Sequence, residues 1–224
     1  FTMVPVVGSN YWLSKLTDVA LGTKPLNFCD EGCGAIVDSG TSMLAVPTDV
    51  FNELGPQLQK LGEEAGCNVN LLPDLRFKLN GIHYSLPPDA YLGQVLGDVP
   101  SSLVMNFRKT NARCQAAMMS IDLPSKVGKS WIFGMPFFRN FYTVFVQDEA
   151  KPRIYTAPAN SECYPSAQTA LKLKRQSVQM ARHIDASKLR VSPWLSKHIG
   201  TSKEQRLPEE TGRRLQPSLQ RMRD

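Results

Sequence analysis

Short runs of apolar and β-branched residues, cut by Gly, Pro and Asn turns, fill the chain up to about residue 159. Thr2 to Val7 reads as a strand, Gly8-Ser9-Asn10 as a turn, and Tyr11-Trp12-Leu13 as the start of a second strand. Ala35-Ile36-Val37 is an apolar run that ends in Asp38, so it predicts a buried strand delivering one acid into Ser39-Gly40-Thr41-Ser42. Pro47-Thr48-Asp49 then opens a helix with Thr48 as its N-cap. Val50, Phe51, Leu54, Leu58 and Leu61 fall at helical spacing, and Gly62 offers a stop. From Leu75 apolar and basic residues alternate to Asn80-Gly81, the signal of a tight hairpin that Ile82 to Leu86 continues. Residues 103–123 predict further strands. Ser130 to Phe133 is a second buried run ended by Gly134, and Phe141 to Val146 and Arg153 to Thr156 are the last strands. Many short strands with one or two helices describe a mainly β domain over 1–159.

After Asn160 the pattern changes. Lys, Arg, Gln and Ser dominate, while Ala167, Ala170, Leu171, Val178, Ala181 and Ile184 allow a basic amphipathic helix from about 166 to 190. Pro193, Pro208 and Pro217 interrupt the rest of the chain, so 160–224 reads as a flexible, partly helical or disordered basic extension. Residues 1–159 carry 13 Lys and Arg against 14 Asp and Glu, a net of −1; residues 160–224 carry 13 against 6, a net of +7. The net charge of +6 therefore belongs to the extension. Its basic residues lack interleaved aromatics, which argues against nucleic acid as a partner. No apolar run approaches the ~18 residues of a transmembrane segment. The chain starts at Phe1, inside a strand pattern and with no signal-peptide pattern, and reads as a fragment or a processed chain.

Cys29 and Cys33 are spaced to close a small loop, and Cys67 and Cys114 could close a larger one; Cys163 is left over in the extension. Zinc is the competing use of a close Cys pair, but it needs a second close pair, and only scattered Cys and His occur further along. Disulfides are favoured, and they imply an oxidising compartment: the secretory pathway, leading to a lysosome- or vacuole-like organelle or the exterior. The chemistry points to Asp38. An acid fixed at a strand end, with room left by glycine and hydroxyls beside it, suits general acid–base work. His83 lies next to the hairpin turn, and no nucleophile elbow surrounds Ser39 or Ser42, so His83 reads as a surface strand residue.

Five features then occur in one order: Val4-Pro5-Val6 before Tyr11-Trp12; Cys29-x3-Cys33; Ile36 to Ser42; Leu72-Pro73-Asp74 with Asn80-Gly81 and Tyr84; and Trp131 to Gly134 with Phe141 to Phe145. This combination resembles the C-terminal lobe of a pepsin-like aspartic protease, near the cathepsin D and plasmepsin branches, over residues 1 to about 159. The resemblance implies a β lobe based on a six-stranded sheet with one or two short helices. It implies an endopeptidase in which two aspartates, one per lobe, share a proton and activate a water, with no metal or cofactor.

Carried over by position, Asp38 matches the second-lobe catalytic aspartate. Ser39 matches a hydroxyl that ties the two active-site loops together, Gly40 the close-packing residue, and Thr41 a hydroxyl bonded to the carboxylate. Tyr11, Ile36, Ser42, Ile121, Leu123 and Ile132 fall where the family lines its substrate cleft. Two departures stand out: the chain has no second Asp-Thr/Ser-Gly, and Met135 follows Gly134 where many relatives carry an acid. The implied partners are a peptide or protein substrate and an N-terminal lobe. The alternatives are a catalytically inactive fragment serving as a binding or scaffold lobe, and a homodimer in which each copy lends one Asp38.

Overall fold

The computed structural model describes residues 1–8, 10–148, 151–162, 164–166 and 179–196. The first stretch supplies β1 (Thr2–Pro5), β2 (Leu13–Leu21), β3 (Lys24–Pro25), β4 (Cys33–Val37) and β5 (Leu44–Val46). Helix α1 (Thr48–Glu64) follows, then the hairpin β6 (Leu75–Leu79) and β7 (Ile82–Leu86), and strand β8 (Leu92–Leu96). Two short strands, β9 (Gln115–Ala116) and β10 (Met118–Ser120), lead to β11 (Pro124–Ser125) and β12 (Gly128–Phe133). Helix α2 (Met135–Phe138), β13 (Phe141–Val146) and β14 (Arg153–Pro158) come next, and the extension adds β15 (His183–Asp185) and α3 (Pro193–Ser196).

The mainly β class holds. Among the described residues the strands fall into one nine-stranded and two three-stranded sheets, not a six-stranded one. The large sheet runs β10-β5-β12-β4-β2-β6-β7, with β3 and β11 attached at β2 and β12. Strand β12 slots between β4 and β5, parallel to the first and antiparallel to the second. A strand so enclosed must be apolar on both faces, and the period-two pleat shares its side chains between two cores. Ala35, Val37, Leu44, Val46, Trp131 and Phe133 enter the larger core, which α1 covers with Val50, Phe51, Leu54 and Leu58. Ile36, Ala45 and Ile132 point the other way, into a second and smaller core.

The hairpin forms as its Asn80-Gly81 signal predicts, with Leu79 opposite Ile82 and positive φ at both turn residues, +48° and +84°. His83 is an exposed strand residue there. Both disulfides form, Cys29–Cys33 and Cys67–Cys114, while Cys163 lies outside the described residues. Residues 103–123 hold less strand than their pattern suggests. Leu103 and Phe107 are buried from a short 3-10 turn and the loop after it, because apolar pattern reports burial and not pairing.

Two local readings are corrected. Thr48 is the first helical residue and not the N-cap; Pro47 holds that place without a side-chain cap. The freed Thr48 N–H is taken instead by the Asp122 carboxylate, 3.0 Å away from a loop 74 residues on. Gly62 does not stop the helix either. It lies inside α1, where Leu92 and the Cys114 sulfur press so close that a Cβ would sit 2.9 and 3.0 Å from them.

Residues 167–178 of the predicted basic helix lie outside the described residues. The remainder, 179–190, forms no α-helix: Met180 bridges Asn68, 183–185 form β15, and 186–188 make a 3-10 turn. Tertiary pairing overrides the weak amphipathic pattern. Strand β15 adds in parallel to β8, and Ile184 sits in the space that Gly93 leaves, where a Cβ would come within 2.4 Å of its Cδ1. Ala181 N–H donates to the Cys67 carbonyl at 2.8 Å. This part of the extension is packed against the β lobe.

Candidate active site

Asp38 leaves the end of β4 with its N–H on the Phe133 carbonyl at 3.1 Å, so the parallel β4–β12 pairing extends to the acid itself. A tight turn comes next, in which the Gly40 N–H donates to Asp38 Oδ1 at 3.1 Å. The Thr41 hydroxyl donates to Oδ2 at 2.6 Å. Thr41 is fully buried, so its hydroxyl is held for this one contact, while Ser39 and Gly40 stay exposed. The turn is locked from behind by the loop after β12. Met135 N–H donates to the Thr41 carbonyl at 2.8 Å, and a Cβ on Gly134 would stand 2.3 Å from the carbonyl oxygens of both Thr41 and Met43. Position 134 therefore admits only glycine at this approach.

The sequence-predicted cleft residues converge. Ile36, Ile121, Leu123 and Ile132 are all buried in the second core, on the face of the sheet that carries Asp38, and Tyr11 packs at its edge. Ser42 sits at the rim, and burial raises the Tyr11 phenol above its ordinary pKa. These are the positions that the resemblance assigns to substrate contact.

What the sequence did not indicate is the company this face keeps. Ser192, from the extension, is buried and donates its hydroxyl to both Asp38 oxygens, at 2.7 Å each. Ser42 exchanges two hydrogen bonds with Arg190: its N–H to the Arg190 carbonyl, and the Arg190 N–H to its hydroxyl, both 2.9 Å. The Trp194 ring lies on Tyr11 with centroids 4.5 Å apart. Ala186, Leu189 and Leu195 complete the second core. One signal was available: Trp194 and Tyr164 are the only aromatics after residue 159, and a lone Trp beside a Ser-Pro step marks a docking point better than a solvated tail.

Chemically, the arrangement holds a carboxylate at a rigid strand end with fixed donors on each oxygen and an apolar wall beside it. That suits an acid or base acting on a bound water or hydroxyl. Among the described residues no cluster of His, Cys, Asp and Glu could hold a metal ion.

The eukaryotic aspartyl protease family model matches residues 1–159. The chain is 37% identical over 161 residues to cathepsin E of Oryctolagus cuniculus, covering 70% of this chain and 37% of that protein. It is 33% identical to pepsin A of Canis lupus familiaris and 34% identical to pepsin A of Sus scrofa, each over 161 residues, 69% of this chain and 37% of the relative. The chain thus spans 37% of the length of these curated relatives.

Proposed function

The chain belongs to the eukaryotic aspartyl proteases, and from that premise we propose that it is the Asp38-bearing half of an acid endopeptidase. The geometry at Asp38 carries the reading: a carboxylate bonded by Thr41 and by the Gly40 amide, on a loop that Gly134 lets pack tightly. A second aspartate comes from an N-terminal lobe. Two carboxylates about 3 Å apart share one proton, since both cannot ionise. The ionised one takes a proton from the water between them, the other polarises the scissile carbonyl, and a tetrahedral intermediate forms with no acyl-enzyme. The pair titrates as a unit. No metal or cofactor enters this scheme.

Exposed Ser39 is free to meet a facing loop from the second lobe. The outer row Met3–Tyr155–Val144 of the sheet β1-β14-β13 supports the same pairing, since Met3 and Val144 are exposed apolar residues on one face. Tyr11, Ile36, Ile121, Leu123 and Ile132 favour apolar side chains flanking the cut bond, with Ser42 at the rim. The disulfides fit maturation in the secretory pathway, with the enzyme acting in a lysosome-like compartment or outside the cell.

The test is peptide cleavage at about pH 3–6 by this chain joined to its N-terminal lobe. Asp38→Asn is expected to lower kcat at least ~10³-fold. Cleavage that survives this change would sink the proposal. The second reading, a lobe that binds peptides without cutting them, draws on Ser192, which already occupies both carboxylate oxygens.

A further inference from the structure

We propose that residues 189–196 are a built-in occupant of the Asp38 cleft, so that a peptide reaches Asp38 only after this segment has left. The inference rests on the reading of this face as a peptide-binding cleft. The segment imitates a bound peptide in three ways. Before it turns into α3 it is joined to Ser42 by two hydrogen bonds of the Arg190 backbone, as a substrate backbone would be held at the rim. It fills apolar positions of the face that carries Asp38, with Leu189 and Leu195 buried in the second core and Trp194 on Tyr11. And it presents a hydroxyl to the carboxylate, with Ser192 Oγ 2.7 Å from Oδ1 and from Oδ2.

The group on the acid is a side-chain hydroxyl and not a peptide carbonyl, so the segment offers Asp38 nothing to cleave. Fit at this point is close: a Cβ on Gly40 would come within 2.1 Å of Ser192 Oγ, so the missing side chain at position 40 is the space the serine uses. The segment is also anchored upstream, away from the acid, by β15 on β8 and by Ile184 against Gly93. Residues 189–196 can therefore lift while 181–185 remain seated.

The full chain joined to its N-terminal lobe is compared with its Ser192→Ala/Trp194→Ala variant, changed in the extension alone. Amide exchange at Arg190 and Leu195 reads docking without reference to activity. Binding of a peptide carrying a secondary alcohol in place of the scissile amide (a statine-type mimic) is measured by calorimetry on both chains. In the wild type these amides are expected to exchange more than roughly tenfold slower than in an unstructured peptide, and to lose that protection in the variant. The mimic is expected to bind the variant about tenfold or more tightly than the wild type, and to release the segment as it binds. Unprotected amides in the wild type overturn the proposal. So does mimic binding of equal strength to the two chains, an outcome that leaves the protease reading standing. If the variant loses protection yet neither chain binds the mimic, the protease reading and the competition both fall, and the docked segment is a structural clasp.

Discussion

Two residues that never touch a substrate in the proposed scheme decide whether Asp38 stands correctly. Gly134 is the first. The atoms a Cβ would meet are backbone carbonyls of Thr41 and Met43, which have no rotamer to escape into. Gly134→Ala is therefore expected to reach or exceed the upper end of the ~1–3 kcal/mol typical of overpacked sites, read as a drop in the urea midpoint. Thr41 is the second. Thr41→Val keeps the volume and removes the donor to Oδ2, so folding should survive while the joined enzyme loses roughly tenfold or more in kcat. Thr41→Ser, which keeps the hydroxyl, should retain most activity; equal losses in the two variants would show that packing and not the hydrogen bond matters.

At the scale of elements, the disulfide Cys67–Cys114 spans 47 residues and ties the end of α1 to the approach to β9. Replacing both cysteines with Ala should cost about 4 kcal/mol on the chain-entropy account, checked by denaturant unfolding. The turn after β15 carries a pH dependence. Hydrogen bonds from the Ser187 side chain, then from Lys188, hold the Asp185 carboxyl below its usual range. A depressed acid contributes stability above its unfolded value and loses it as pH falls through its folded one. This cap is thus expected to persist down through the ordinary carboxylate range and to fail only once the pH has fallen below it, followed through the Ser187 amide signal. Loss of the cap near neutrality would contradict it. Elements with strong local codes were legible in the sequence, namely the Asn80-Gly81 hairpin, the apolar runs at 35–37 and 130–133, and the body of α1. Where the partner is remote, local code was silent: Asp122 supplies the start of α1, and Gly93 makes the seat that turns 183–185 into a strand.

For the whole molecule, the same division explains what could be read of the site. Asp38, Thr41 and the apolar wall come from one motif and its sheet, and order along the chain was enough to find them. Ser192 lies 154 residues from Asp38, and no periodicity links the two. The outer face of β1-β14-β13 yields a prediction at this scale. Val144→Asp should alter the stability of this chain by less than about 1 kcal/mol, because the side chain is partly exposed. In the proposed two-lobed enzyme, where this face would be covered, the loss should be clearly larger, as apparent in paired thermal melts. Equal losses would leave the face as ordinary surface.

The seat of Ile184 on Gly93 lies eight residues before Ser192. Held by so short a tether, Ser192 meets Asp38 at an effective concentration on the order of millimolar, whatever the concentration of the protein. A competing peptide must outbid that figure, and its apparent affinity is weakened by the docking constant plus one. Dilution leaves the segment where it is. A side chain at position 93 would unseat it without altering any group at the acid.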